Sequence, residues 1–244
     1  MFNPEVYQER RKRLKKMIET GICLFPGNDD SPMNYLANTY PFRQDSSFLY
    51  FFGLDSPGLT AVIDLDEQKE IVFGDDVTIE DIIWVGPQPP LKDRARAAGL
   101  KLVKPSASLN DYLAEAISRG RQIHYLPPYR GETILKLSSW LKIAPDRVKP
   151  GASTELIKAV ISLRSIKSRE EVAEIEKALK VTKESYLTAI PEIRPGAREQ
   201  EILALMELVI KAYGLSFAFP SIITINGQIF HKTSYDDKLL KGRF

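Results

Sequence analysis

Between Ile22 and Leu141, short apolar runs alternate with helical stripes, and glycine or proline marks nearly every junction. A run of four or five residues that is apolar throughout must be covered on both faces, so the alternation argues a β-sheet flanked by helices. An amphipathic helix is expected from Pro4 to Glu19, ended by Gly21, and a short buried strand from Ile22 to Phe25. Further strands are expected at Tyr50 to Phe52, Leu59 to Leu65, Glu70 to Phe73, Lys101 to Val103 and Gln122 to Leu126. Val77 to Trp84 reads as a short helix or turn. Leu91 to Ala98, Leu109 to Ser118 and Thr133 to Leu141 read as helices, the first two stopped by Gly99 and Gly120.

The pattern changes after Pro150-Gly151, where longer helical stripes begin. Residues 1–151 are expected to form one α/β domain, residues 152–167 a linker helix, and residues 168–244 the start of a second domain. Ser168 with Glu171 three residues on is a capping-box pattern. It opens a helix whose inward positions would be Val172, Ile175, Leu179, Thr182 and Tyr186, closed by Pro191. Another helix follows Pro195-Gly196, carries Ile202, Leu205, Met206, Val209, Ile210 and Tyr213, and ends at Gly214. Phe217 to Ile225 and Gln228 to His231, around Asn226-Gly227, read as a β-hairpin, because a two-residue turn with positive φ favours that dipeptide. No later strand pairs with this hairpin in the sequence. Its edge is therefore expected to be unpaired and the helices to show an uncovered apolar stripe.

Composition narrows the function classes. The chain has 244 residues, 43% hydrophobic and 27% charged, with a net charge of +2. That balance gives no basic field for nucleic acid, and no segment reaches the length of a membrane span. The charges of Glu9 to Lys16 sit beside Leu14, Met17 and Ile18 at helical spacing and read as a solvated helix face. Cys23 is the single cysteine. It lies inside an apolar run, reads as a small core residue, and points to a reducing, cytoplasmic setting. The N-terminal residues do not form a signal peptide.

Few residues announce chemistry. Phosphate-binding glycine motifs, paired cysteines and a His-Glu-x-x-His motif are missing from the sequence. His124 reads as a core or rim histidine. Asp29-Asp30 and Asp75-Asp76 read as turn carboxylates. The segment from Tyr40 to Gly53 is unusual, because Arg43, Gln44, Asp45, Ser46 and Ser47 directly precede an aromatic run; on physics alone it reads as a loop anchored on a strand end.

This segment, with Pro57-Gly58-Leu59-Thr60-Ala61-Val62-Ile63 after it, resembles the N-terminal domain of the Xaa-Pro aminopeptidases (aminopeptidase P, of the creatinase and prolidase superfamily). Ile83-Trp84-Val85-Gly86 is similar to the same domain further on. Leu163 to Ser168, with Glu171, Ile175 and Ala178, resembles the helix that opens the family's second domain. Phe219-Pro220-Ser221-Ile222-Ile223, Asn226-Gly227 and His231 resemble that domain's first hairpin. The four motifs stand in the family's order. The resemblance implies a mixed sheet with flanking helices, followed by the opening part of a pita-bread domain. It implies metal-dependent removal of the N-terminal residue from peptides with proline second, and assembly into homo-oligomers. In full-length relatives two divalent metals, usually manganese, are held by carboxylates and a histidine; they activate a water and polarise the scissile carbonyl.

Residue by residue, the resemblance makes His231 a substrate-contacting histidine, and Arg43 and Trp84 candidates for the proline-side entrance and subunit contacts. None of the family's metal ligands has a match here, so no metal or other cofactor is expected in this chain. Leu239-Leu240-Lys241-Gly242 fits the turn before the first metal-binding aspartate, but Arg243 stands where an acidic residue is usual. The expectation is a chain cut before its metal centre and inactive by itself. The alternative from another class is a non-catalytic peptide-binding, protein-binding or oligomerisation module of the same fold. Creatinase or prolidase chemistry is the nearer alternative within the superfamily.

Overall fold

A computed structural model describes residues 1–242; Arg243 and Phe244, and the reading placed on Arg243, lie outside the described residues. The chain divides into two units, Met1–Ile166 and Lys167–Phe244.

The first unit is built on a five-stranded mixed sheet of order β4-β3-β2-β1-β5. The strands are β1 (Ile22–Pro26), β2 (Thr60–Asp64), β3 (Lys69–Phe73), β4 (Leu102–Lys104) and β5 (Ile123–Tyr125). β1–β2 and β2–β3 are antiparallel, and β3–β4 and β1–β5 are parallel. Register aligns Cys23 with Ile63, Leu24 with Val62, and Val62 with Ile71. Side chains alternate between the faces of a strand. Cys23, Phe25, Ala61, Ile63 and Val72 therefore join one core, while Ile22, Leu24, Val62, Ile71 and Phe73 join the other. Both faces are dry, which explains why these strands are apolar throughout rather than alternating.

Helices α1 (Pro4–Lys15), α2 (Ser46–Phe52), α4 (Leu91–Ala97) and α8 (Thr154–Ser165) supply the first core, through Leu14, Phe48, Phe51, Phe52, Leu91, Leu156 and Leu163. Helices α5 (Ser108–Ser118), α6 (Gly131–Leu141) and α7 (Pro145–Val148) supply the second, through Leu113, Leu137 and Val148. Helix α3 (Ile79–Val85) buries none of its residues. The helix expected to link two domains is α8, and it packs within the first unit.

Two buried charge clusters anchor this sandwich. Arg11 is fully buried; its Nε donates to Glu70 Oε2 at 2.8 Å and its Nη1 to the Phe51 carbonyl at 2.8 Å. Burial pushes its pKa down, against the attraction of Glu70. Asp64, also fully buried, accepts bonds from Arg121, from the Tyr112 hydroxyl and from Glu67 N–H at 2.9 Å. Burial pushes the Asp64 carboxyl up, but these donors outweigh it and hold the group below the usual carboxylate range.

Tyr50–Phe52, expected as a strand, belongs instead to α2. Asp45 caps this helix, accepting from Ser47 N–H and Phe48 N–H, and Gly53 closes it at φ 64°. A short apolar run carries too little periodicity to distinguish strand from helix; here the cap and the left-handed glycine decide.

The second unit comprises α9 (Arg169–Ala189), a 3-10 turn (Ile190–Glu192) and α10 (Glu199–Ala212). The Ser168–Glu171 capping box forms as the sequence predicts. The inward stripe does not form. Val172, Ile175, Leu179 and Tyr186 are exposed, and the buried positions of α9 are Ser185 and Ala189. Small residues let α10 approach closely there, and the Ser185 hydroxyl donates to the Met206 carbonyl at 3.2 Å. Among the described residues of this unit Ile202, Val209 and Leu239 are buried, while the α9 stripe stays uncovered.

The hairpin from Phe217 to His231 is also absent: these residues form neither strand nor helix. Gly227 has the positive φ of a turn (68°), but Asn226 does not, so the expected two-residue turn is not made. An isolated two-stranded hairpin is marginal in water, and the described residues of this unit form no strand for it to join.

Candidate functional site

Three segments carry the residues singled out by resemblance. The first precedes α2. Gln44 is buried and organises it: Gln44 Oε1 accepts from Asn28 N–H at 2.8 Å and from Asp45 N–H at 2.9 Å. Gln44 Nε2 donates to the carbonyls of Leu54 at 3.3 Å and Ser56 at 2.9 Å. Asn28 Nδ2 then donates to the Arg43 carbonyl at 2.8 Å and to the Tyr129 hydroxyl at 3.1 Å. Arg43 is thus an exposed side chain on a backbone fixed from within. Sequence reasoning noticed the polar cluster but missed Gln44 and Asn28 as its organisers. Gly27 was the available signal: a Cβ there would lie 2.6 Å from the Leu59 carbonyl and 3.0 Å from Gln44 Oε1, so something packs tightly against that glycine.

The second segment is α3. Thr78 and Asp81 form a complete capping box, and the two bonds from Thr78 hold the Asp81 carboxyl below its ordinary range. The helix is well capped yet projects apolar side chains into solvent: Ile79 is 83% exposed, Ile83 77% and Trp84 82%. A capped helix that buries nothing of itself is a surface for contact rather than part of a core.

The third segment surrounds His231, whose side chain is exposed. Beside it, Lys232 Nζ pairs with Glu199 and lies 2.6 Å from Asp237 Oδ2. Glu199 Oε1 accepts from Ile225 N–H at 3.0 Å. Arg43 and Trp84 thus stand on different segments of the first unit, and His231 belongs to the second.

The remaining chemistry-bearing residues are structural. His124 is buried, with Nδ1 2.8 Å from Ser153 Oγ and Nε2 3.1 Å from the Thr20 carbonyl. A carbonyl can only accept, so Nε2 donates to it, and Nδ1 is left to pair with the Ser153 hydroxyl. Burial, with Glu155 nearby, pushes the Cys23 thiol up to about 12, which makes it inert at neutral pH. Asp75 accepts from Ser106, and Asp76 accepts from Leu91 N–H at the start of α4, so both tie remote segments together rather than closing a local turn. Among the described residues, no three His, Cys, Asp or Glu side chains come together as a metal site. The donor set of a dinuclear manganese centre is thus not met by these residues, and no chemical step is assigned to them through a metal. No helix among the described residues is long and apolar enough to cross a membrane.

Residues 7–124 match the family model for the aminopeptidase P N-terminal domain. The chain is 26% identical to a probable Xaa-Pro aminopeptidase of Chaetomium globosum, over 91% of this chain and 37% of that protein. It is 23% identical to the Xaa-Pro aminopeptidase of Escherichia coli, over 97% of this chain and 56% of that protein. Among solved structures it is similar to the proline aminopeptidase P II from Yersinia pestis, with a TM-score of 0.82, 19% identity, and coverage of 99% of this chain and 58% of that one. Pseudomonas aeruginosa aminopeptidase PepP matches with a TM-score of 0.80 and 22% identity, over 99% of this chain and 57% of that one. The chain therefore spans little more than half the length of these relatives, and less of some. It carries the aminopeptidase P N-terminal domain and is a relative of the Xaa-Pro aminopeptidases.

Proposed function

We propose that this chain serves the reaction of an Xaa-Pro aminopeptidase, the removal of an N-terminal residue that precedes proline, by supplying the N-terminal domain and the opening of the second. The observation that carries this reading is co-linearity: the likeness to aminopeptidase P runs through both units, over 99% of the chain. In this reading Arg43 and Trp84 shape the proline-side entrance, and His231 contacts the substrate. The exposed apolar side chains of α3 support a homo-oligomeric assembly in which Trp84 is covered. Two divalent metals, manganese by the chemistry of carboxylate ligands, belong to the reaction in full-length relatives. The described residues offer no cluster for them, so the chain is expected to be silent as a peptidase by itself. The buried single thiol suits a reducing, cytoplasmic setting.

The test is a chimera. Residues 1–166 replace the corresponding part of the Escherichia coli Xaa-Pro aminopeptidase, and release of the N-terminal residue from an Xaa-Pro peptide is measured with manganese. The proposal expects cleavage, and weaker cleavage after Arg43→Ala or Trp84→Ala. A folded, metal-loaded chimera that cleaves nothing refutes it. Cleavage indifferent to both substitutions removes Arg43 and Trp84 from the entrance.

A further inference from the structure

The residues between Gly214 and Lys238 carry no helix or strand ladder, yet they have a defined course. Burial does little to hold them. Phe219 and Phe230 are each 66% exposed, and Ile222 and Ile229 are exposed as well. Backbone bonds fix the far end: Gln200 N–H to the Tyr235 carbonyl at 2.9 Å, Glu199 N–H to the Asp237 carbonyl at 3.1 Å, and Leu239 N–H to the Ala197 carbonyl at 2.8 Å. The middle is fixed by one charged node. Glu199, on the first turn of α10, is 1% exposed, and with Ser185 it is one of two buried polar residues of this unit among the described residues. Its carboxylate receives Ile225 N–H from one side and Lys232 Nζ from the other, and Lys232 reaches on to Asp237. Three separate points of the segment therefore converge on a single lysine–glutamate pair.

We propose that Lys232 is an ionic latch. It holds the 221–234 stretch, and with it His231, against the start of α10, and loss of its ammonium charge frees that stretch while the backbone bonds at 235–239, α9 and α10 stay in place. The physical ground is that a charge-assisted bond at a buried carboxylate is about twice as strong as a neutral one, while Phe219, Ile222, Ile229 and Phe230 are exposed and Ile223 and Ile225 are only half-buried. The latch is independent of the peptidase reading, because it rests on contacts within the second unit alone. It also gives the segment two states, docked and released, selected by one side chain. Neutralising the amine, by substitution or by acetylation, selects the second.

Hydrogen exchange on the full chain tests it, comparing the wild type, Lys232→Met, and Lys232→Met with Glu199→Gln. Methionine keeps the aliphatic stem, and the second change removes the carboxylate that the first leaves unpaired. In both variants the Ile225 amide, which bonds Glu199, is expected to exchange roughly ten- to a hundred-fold faster within peptides covering 221–234, the range for losing a charged hydrogen bond. Peptides from the middle of α9 and α10, and from the first unit, keep wild-type rates. Unchanged exchange at 221–234 in Lys232→Met overturns the latch. So does an equal rise throughout α9 and α10, which would make the pair a general core element. Restoration of protection in the double variant overturns it too, because a stranded Glu199 charge would then explain the single variant.

Discussion

Truncating Gln44 to alanine should destabilise the first unit by about 3–5 kcal/mol. Four hydrogen bonds end on this side chain: two accepted, from Asn28 N–H and Asp45 N–H, and two donated, to the carbonyls of Leu54 and Ser56. Asn28 and Leu54 are buried, so water cannot freely replace the amide there. A buried polar group left without a partner costs about 1–3 kcal/mol, and two to three such groups give the stated loss. Set against a domain stability of roughly 5–15 kcal/mol, this is large but survivable. Both tryptophans, Trp84 and Trp140, lie in the first unit, so intrinsic fluorescence during urea unfolding follows that unit alone. The midpoint should fall by about 1–5 M urea for a slope of about 1–3 kcal/mol per molar. Gln44→Glu should also destabilise, because it keeps the acceptor but loses the amide donors and brings a charge into a buried site. A loss below about 1 kcal/mol in Gln44→Ala would refute the reasoning, and would mean that the backbone before α2 holds itself.

Other outcomes follow from other parts of the structure. The folded Asp64 carboxyl lies below its unfolded value, so its stabilisation is present above the usual range near pH 4 and is lost as pH falls through the folded value. The urea midpoint should therefore drop as pH falls below the usual carboxylate range, and Asp64→Asn should flatten that slope while lowering stability at neutral pH; an unchanged slope contradicts the assignment. Trp84→Ala should leave the stability of the first unit within about 0.5 kcal/mol, because the side chain is 82% exposed. Asp81→Ala removes half of the α3 capping box and should loosen that helix, read as faster exchange at Ile82 and Gly86, whose amides bond the Thr78 and Ile82 carbonyls. Limited proteolysis should cut first within 216–238 and leave a resistant fragment close to Met1–Ile166; equal resistance in the second unit would contradict its sparse core.

How much of this was legible in the sequence depended on where the decisive contacts lie. Ile22–Phe25, Thr60–Asp64 and the helix at Thr133–Leu141 declare themselves, because their patterns are local and their ends carry glycine or proline. The Ser168–Glu171 box is equally local. Ser46–Phe52 misled because aromatic residues favour strands on average, and Asp45 had to be recognised as a cap first. The Asn226-Gly227 turn misled for the opposite reason: the dipeptide is a sound local signal, but a hairpin needs a sheet to join. Val172, Ile175 and Leu179 gave a true helical period without saying what would cover it. Gln44, Asn28 and the Glu199–Lys232 pair were hidden, since each works through partners remote in the chain. For the site, Trp84 and Arg43 were reached through resemblance, and physics alone would have named neither.

The dinuclear metal chemistry of the full-length relatives needs a donor set, and among the described residues no three His, Cys, Asp or Glu side chains come together as one. The direct measurement is a peptidase assay on the purified chain with an Xaa-Pro peptide and manganese, following release of the N-terminal residue. No metal-dependent release above the uncatalysed background is expected. Manganese-dependent cleavage that a chelator abolishes and fresh metal restores would contradict it.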